Sequence, residues 1–105
     1  MTALPEVQTE VNRVVDRLRS MPLARLAAPW QGFDSMAAGA RGLAQRLADR
    51  AADVGGWPRR AVPDVGDAAV GDQVAVTAAD LLALDLPADI LAATAADLRE
   101  FRLSL

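Results

Sequence analysis

Apolar side chains recur at intervals of three and four residues in four separate segments of this chain. That interval is the period of an α-helix with one buried face, and it excludes the strict alternation of a half-buried strand. The sequence therefore predicts an all-α fold, a small antiparallel bundle of about four helices formed by a single domain, 1–105. The predicted elements are helices at about 4–20, 34–54, 67–85 and 87–103, joined across a loop at 55–66 that holds two prolines and three glycines.

The third segment has two interpretations. Val70, Val74 and Leu81 fit a helix that begins at Asp67, with the Asp67 side chain as its cap. Alternatively, one short strand near 73–76 precedes a helix that opens on a capping box at Thr77, which would make the fold α+β. A single strand has no partner in this sequence, so the helix is preferred. The short link before Pro87 also predicts that the last two helices are antiparallel neighbours.

The chain contains no histidine, cysteine, tyrosine or lysine. These residues supply most proton transfer, nucleophilic attack and metal binding in proteins, and arginine cannot replace them as a base. The acidic residues show neither calcium-loop spacing nor a visible pairing for hydrolysis. We therefore expect that this protein is not an enzyme and that it has no catalytic residue, no cofactor and no metal site.

The charge pattern disfavours nucleic acid as a partner. The net charge is −3, and residues 56–105 carry four arginines against eight acidic residues. Binding to a polyanion needs a concentrated basic surface instead. No apolar stretch approaches the roughly 20 residues that span a bilayer, and the N-terminal residues do not resemble a secretory signal. We expect a cytoplasmic protein without membrane contact, and the arginine- and alanine-rich composition suggests a GC-rich bacterial genome.

The aromatic residues and the arginines beside them are the candidate partner-binding residues. Trp57, Arg59 and Arg60 lie together in the loop, and Trp and Arg dominate protein-binding surfaces. The alternative is that Trp57 closes one end of the bundle while the arginines stay solvated. Trp30 and Phe101 complete the set of candidates. We expect a non-catalytic protein that binds another protein or itself; the alternative is a regulatory bundle that binds a small ligand in a pocket of Trp30, Phe33, Trp57 and leucines.

Trp30, Gln31 and Gly32 form a W-x-G tripeptide between two helical segments in a chain of about 100 residues. In these features the chain resembles the WXG100 family of small secreted proteins. The resemblance implies a two-helix hairpin and export from the cell. That family places the tripeptide near the middle of the chain and has a tyrosine-containing tail motif, whereas here it lies in the first third and tyrosine is absent.

Overall fold

The computed structural model describes residues 2–105 and confirms an all-α bundle. The helices are α1 Leu4–Ser20, α2 Leu23–Leu26, α3 Met36–Gly55, α4 Val70–Leu82 and α5 Ala88–Leu103. Three of them lie close to their predicted bounds, and α4 is shorter than predicted. The four-residue α2 precedes the tripeptide, and a 3-10 turn at Asp67–Ala69 leads into α4.

The ends of α1 and α3 follow from local sequence. Pro5 lies in the first turn of α1, where its missing N–H costs nothing. Ser35 caps α3, because its Oγ accepts a hydrogen bond of 3.0 Å from the N–H of Ala38. At the other end Gly56 adopts a φ of 75°, the left-handed conformation that terminates helices. The composition of these termini therefore explains where α1 begins and where α3 begins and ends.

The alternative strand near 73–76 is wrong, because these residues lie inside α4. Thr77 does not open a helix; its hydroxyl donates a 2.8 Å bond to the carbonyl of Gln73 one turn earlier. Asp67 is also not a side-chain cap: the residue before the 3-10 turn is Gly66, and no side chain caps that turn. The helical periodicity prevails because Val70, Val74 and Leu81 are all buried on one face.

The four long helices occupy the corners of a square. α4 packs against α1 and α3, and α5 packs against the same two helices. α4 and α5 are therefore diagonal to each other, and the prediction that they are neighbours is wrong. The link of residues 83–87 reaches across the diagonal, since five residues span up to about 17 Å when extended.

The helices differ in direction because residues 56–66, here named the crossover segment, run back along α3. α5 is antiparallel to α3, as Arg50 near the end of α3 contacts Thr94 in the first half of α5. α4 instead runs parallel to α3: Arg41 lies 4.0 Å from Asp67 at the start of α4, and Ala52 lines a cavity with Asp80 near its end. A long connection allows this parallel pair, which a short loop would exclude.

The core is built mainly from valine, leucine and alanine, with two methionines and with Phe101 as its one buried aromatic residue among those described. Full burial of such a Val or Leu side chain contributes about 1.5–3 kcal/mol. Gly71 allows α1 and α4 to approach closely, because a Cβ there would lie 3.1 Å from Cγ of Arg19. Within residues 2–105, no helix combines the length and the apolar character that crossing a bilayer requires.

An ion pair joins α1 to α5 at the margin of this core. Arg102 donates hydrogen bonds of 2.7 and 3.2 Å to the two carboxylate oxygens of Glu10. The Glu10 side chain is only 15% exposed, so water screens the pair less than it would at the surface. The hydrogen bond from Arg102 lowers the pKa of Glu10 below its ordinary value, against a smaller opposing effect of burial.

Because the pKa of Glu10 is lower in the folded state, its stabilisation is present above the unfolded pKa and is lost as the pH falls through the folded value. We expect Glu10→Gln to lower the free energy of unfolding by about 1 kcal/mol at neutral pH and to match the wild type in acid. Urea denaturation at several pH values measures this. Glu6→Gln, which changes an exposed residue of α1, is the control, and a pH-independent difference for Glu10→Gln would contradict the account.

Candidate binding surfaces

Among residues 2–105, the acidic side chains form ion pairs with arginines and are not gathered into one catalytic or metal-binding cluster. Within residues 2–105, no three acidic residues are arranged as a group that would hold a metal ion. The acidic groups with displaced pKa values, Glu10 and Asp53, are each hydrogen-bonded to an arginine, Arg102 and Arg59 respectively. The lowered pKa values of these two carboxyl groups therefore result from ion pairs that stabilise the fold. The candidate sites are surfaces and cavities for binding.

The tripeptide and Phe33 form a miniature hairpin, here named the aromatic hairpin, that holds two aromatic rings. Trp30 and Phe33 exchange two backbone hydrogen bonds, with N–O distances of 2.8 and 3.4 Å. Between them Gln31 and Gly32 have φ values of 42° and 81°, the two positive values that a two-residue type I′ turn requires. The bridge places both rings on the same side of α3.

Three aromatic rings meet beside the first turns of α3. Trp30 stacks on Phe33 with ring centroids 6.0 Å apart, and it meets Phe101 edge to face at 5.1 Å. The indole Nε1 donates a long bond of 3.4 Å to the carbonyl of Ser104. The indole lies directly over Gly39, where a Cβ would overlap it. The hairpin thus joins α3 to the end of α5.

A cavity of about 250 Å³ lies next to these rings. Trp30, Phe33 and Phe101 form its aromatic wall, and Arg46 and Glu100 lie at its polar side. The structure therefore brings together two of the candidate residues, Trp30 and Phe101, which are far apart in the sequence.

Trp57 does not belong to this cavity. Its ring folds back over Gly55 at the far end of α3, about 24 Å along the helix from Gly39. There it lines a smaller cavity of about 110 Å³ with Ala52 and Asp80. The side chain remains 46% exposed, so Trp57 partly covers the end of α3 and partly faces solvent.

The two arginines after Trp57 have different environments. Arg59 donates bonds of 3.0 and 2.7 Å to the carboxylate oxygens of Asp53, which lowers the pKa of that carboxyl and raises the pKa of the guanidinium. Arg60 is exposed and forms no ion pair within residues 2–105. Of the two, Arg59 is therefore the arginine whose charge is paired within the described residues.

The crossover segment is held by two glutamine side chains. Gln45 of α3 donates a 3.0 Å bond to the carbonyl of Arg60 and accepts a 2.7 Å bond from the N–H of Val62. Gln73 of α4 donates a 2.7 Å bond to the carbonyl of Pro63. These amides tie an extended segment to the two helices on which it lies.

An apolar groove of about 440 Å³ runs between the crossover segment and α4. We name it the valine groove, after Val62 and Val65 on one wall and Val76 on the other. Val65 is 63% exposed and Val76 is 59% exposed. Sequence reasoning did not identify this site. A signal was present at Val76, a large apolar residue outside the buried stripe of its helix.

Comparisons with known proteins give no match: no family model, curated protein or solved structure is similar to this chain. The two-helix hairpin that the WXG100 resemblance implies is not the fold observed, since Trp30–Gly32 forms a tight turn within a bundle of five α-helices in the described residues.

The aromatic hairpin depends on the absence of a side chain at Gly39. We expect Gly39→Ala to lower the free energy of unfolding by about 1–3 kcal/mol, because the added methyl displaces the indole of Trp30. Gly42→Ala is the matched control: its methyl would lie 3.4 Å from the ring of Phe33, an ordinary contact, and alanine favours the helix by up to about 1 kcal/mol. Urea denaturation followed by tryptophan fluorescence measures both. Equal stability of the two variants would contradict the packing described.

Proposed function

We propose that this chain is a non-catalytic protein-binding module whose docking surface is the valine groove. The observation that supports this proposal is the pair of valines, Val65 and Val76, exposed on opposite walls of an apolar groove. The other large apolar residues near the start and middle of α4, Val70 and Val74, are fully buried. Exposed apolar surface gathered in one groove is typical of protein interaction sites.

The groove offers a partner both apolar contact and polar groups. Covering an exposed valine contributes up to about 1.5–3 kcal/mol. Arg60 and Asp72 line the groove, Asp72 as the partner of Arg19 at 2.7 Å, and charges at the rim of an interface contribute to specificity more than to affinity. An apolar centre with a polar rim is the usual anatomy of a protein interface.

The residue inventory supports binding in preference to catalysis. Without histidine, cysteine, tyrosine or lysine, proton transfer would fall to carboxylates alone, and those with displaced pKa values are hydrogen-bonded to arginine. We therefore propose a protein partner, with neither nucleic acid nor membrane involved. The cytoplasmic location and bacterial origin stay predictions from the sequence, as does the export that the WXG100 resemblance implies.

A second candidate function is the binding of a small ligand beside the aromatic hairpin. The cavity of about 250 Å³ with Trp30 and Phe33 on its wall favours this candidate. Its polar side carries both a cation, Arg46, and an anion, Glu100, so no single charge class of ligand is favoured. The valine groove remains the stronger proposal because its lining is more uniformly apolar.

A charge placed in the valine groove tests the proposal. We expect a natural partner, identified by affinity isolation and then purified, to bind Val76→Asp at least about tenfold more weakly than wild type, because the carboxylate must be desolvated on docking. Leu103→Asp is the control, since Leu103 is similarly exposed but lies on α5, outside the groove. Isothermal titration measures both affinities. Equal binding by Val76→Asp, or weaker binding by Leu103→Asp alone, would contradict the proposal.

A further inference from the structure

We propose that the cavity beside the aromatic hairpin binds a small zwitterion, a molecule that joins an alkylated ammonium group to a carboxylate. The aromatic wall and Glu100 hold the cation, and Arg46 holds the carboxylate. This inference rests on the second candidate function and names the ligand class of that site. It is independent of the valine groove, because the two sites have no lining residue in common.

Two opposite charges border the cavity without forming an ion pair. Arg46 of α3 and Glu100 of α5 both line it, and neither side chain has an ion-pair partner within residues 2–105. About one turn away on the same two antiparallel helices, Arg50 and Asp97 do form an ion pair, of 2.6 Å. Asp97 also lines the cavity, but its charge is already matched by Arg50. The cavity thus separates the charges of Arg46 and Glu100, and both stay available to a ligand.

The aromatic wall is suited to a cation that carries alkyl groups. Trp30 and Phe33 stack with an interplanar angle of 22°, and Phe101 meets Trp30 edge to face. The faces of aromatic rings carry negative potential and attract cations, among them quaternary ammonium groups. Phe33 is 46% exposed, so its ring is accessible from the cavity that it lines. A primary ammonium group needs hydrogen-bond acceptors for three N–H donors, whereas an alkylated one needs only the ring faces and the charge of Glu100.

Two glycines of α3 keep one side of the cavity free of side chains. Gly39 is required by the fold, because a Cβ there would overlap the indole of Trp30. Gly42 has no such requirement, since a Cβ there would lie 3.4 Å from the ring of Phe33. Glycine in a helix interior is less stable than alanine, so Gly42 weakens α3 without a packing need. Its bare backbone instead leaves open the space between Phe33 and Arg46, one turn further along α3.

The size of the cavity and its two charges together define the ligand. Its volume of about 250 Å³ lies below the roughly 300–1,000 Å³ of sites for drug-sized molecules, so the ligand is small. A ligand with one charge would bring a cation towards Arg46 or an anion towards Glu100, and like charges disfavour binding. A zwitterion matches both charges at once. Glycine betaine, a trimethylammonium group joined through a methylene to a carboxylate, is the simplest probe of this class.

Titration with glycine betaine, followed by proton–nitrogen correlation spectra of the two indole N–H groups, tests the inference. Trp30 lines the cavity and Trp57 lies at the far end of α3, so Trp57 is an internal reference. We expect the Trp30 resonance to move with a Kd of about 1 mM or tighter while that of Trp57 stays in place. Tert-butylacetate, which has the same shape without the cation, and choline, which lacks the carboxylate, bind at least about fivefold more weakly.

Substitutions of the two charged residues complete the test. Arg46→Gln and Glu100→Gln each weaken the binding of glycine betaine at least about fivefold, because each removes the partner of one ligand charge. Arg99→Gln and Glu6→Gln make the same changes at exposed residues outside the cavity and leave the affinity unchanged. Circular dichroism melting checks that these substitutions of exposed residues leave the fold intact.

The outcomes separate this inference from the functions proposed above. A Trp30 resonance that does not move well above the expected Kd, or moves together with that of Trp57, overturns the inference. Equal binding of tert-butylacetate or choline also overturns it, but supports the second candidate function, because the cavity then takes a small molecule of a single charge. Binding that Arg46→Gln and Glu100→Gln leave unchanged overturns it as well. None of these results bears on the valine groove, which is tested by its protein partner.

Discussion

The architecture depends on the amide of Gln45, which holds the crossover segment against α3. The Gln45 Oε1 accepts a hydrogen bond of 2.7 Å from the N–H of Val62, and its Nε2 donates one of 3.0 Å to the carbonyl of Arg60. The extended segment has no strand to pair with, so this side chain replaces the hydrogen bonds that a sheet would supply. Leaving such a partly buried donor or acceptor without a partner costs about 1–3 kcal/mol.

The path of the crossover segment determines both the arrangement of the helices and the shape of the surface. Because the segment returns along α3, α4 starts beside Arg41 and runs in the same direction as α3. The link of residues 83–87 must then cross the diagonal, so that α5 lies between α1 and α3. The segment and α4 lie side by side as two walls, with Val65 and Val76 exposed between them. The groove is thus a consequence of one long connection.

Sequence patterns predicted the helices well and the contacts between them poorly. The bounds of α1 follow from its stripe of valines and from Pro5 and Pro22, which are local signals. The return of the crossover segment has no such signal: prolines and glycines predict a loop but not its direction, and Gln45 is an ordinary polar residue of an amphipathic helix. The contact between Trp30 and Phe101 joins residues that are far apart in the sequence, and the period of apolar residues cannot predict such a contact. The valine groove lies between the crossover segment and α4, and neither of these segments has a sequence that by itself predicts a groove.

Amide hydrogen exchange along the crossover segment tests this account most directly. The N–H of Val62 donates to Gln45, whereas the N–H groups of Ala61 and Val65 have no hydrogen-bond partner among the described residues. We expect the Val62 amide to exchange slowly under native conditions and the amides of Ala61 and Val65 to exchange rapidly. Exchange of Val62 as fast as that of Ala61 would show that Gln45 does not hold the segment, and it would contradict the account.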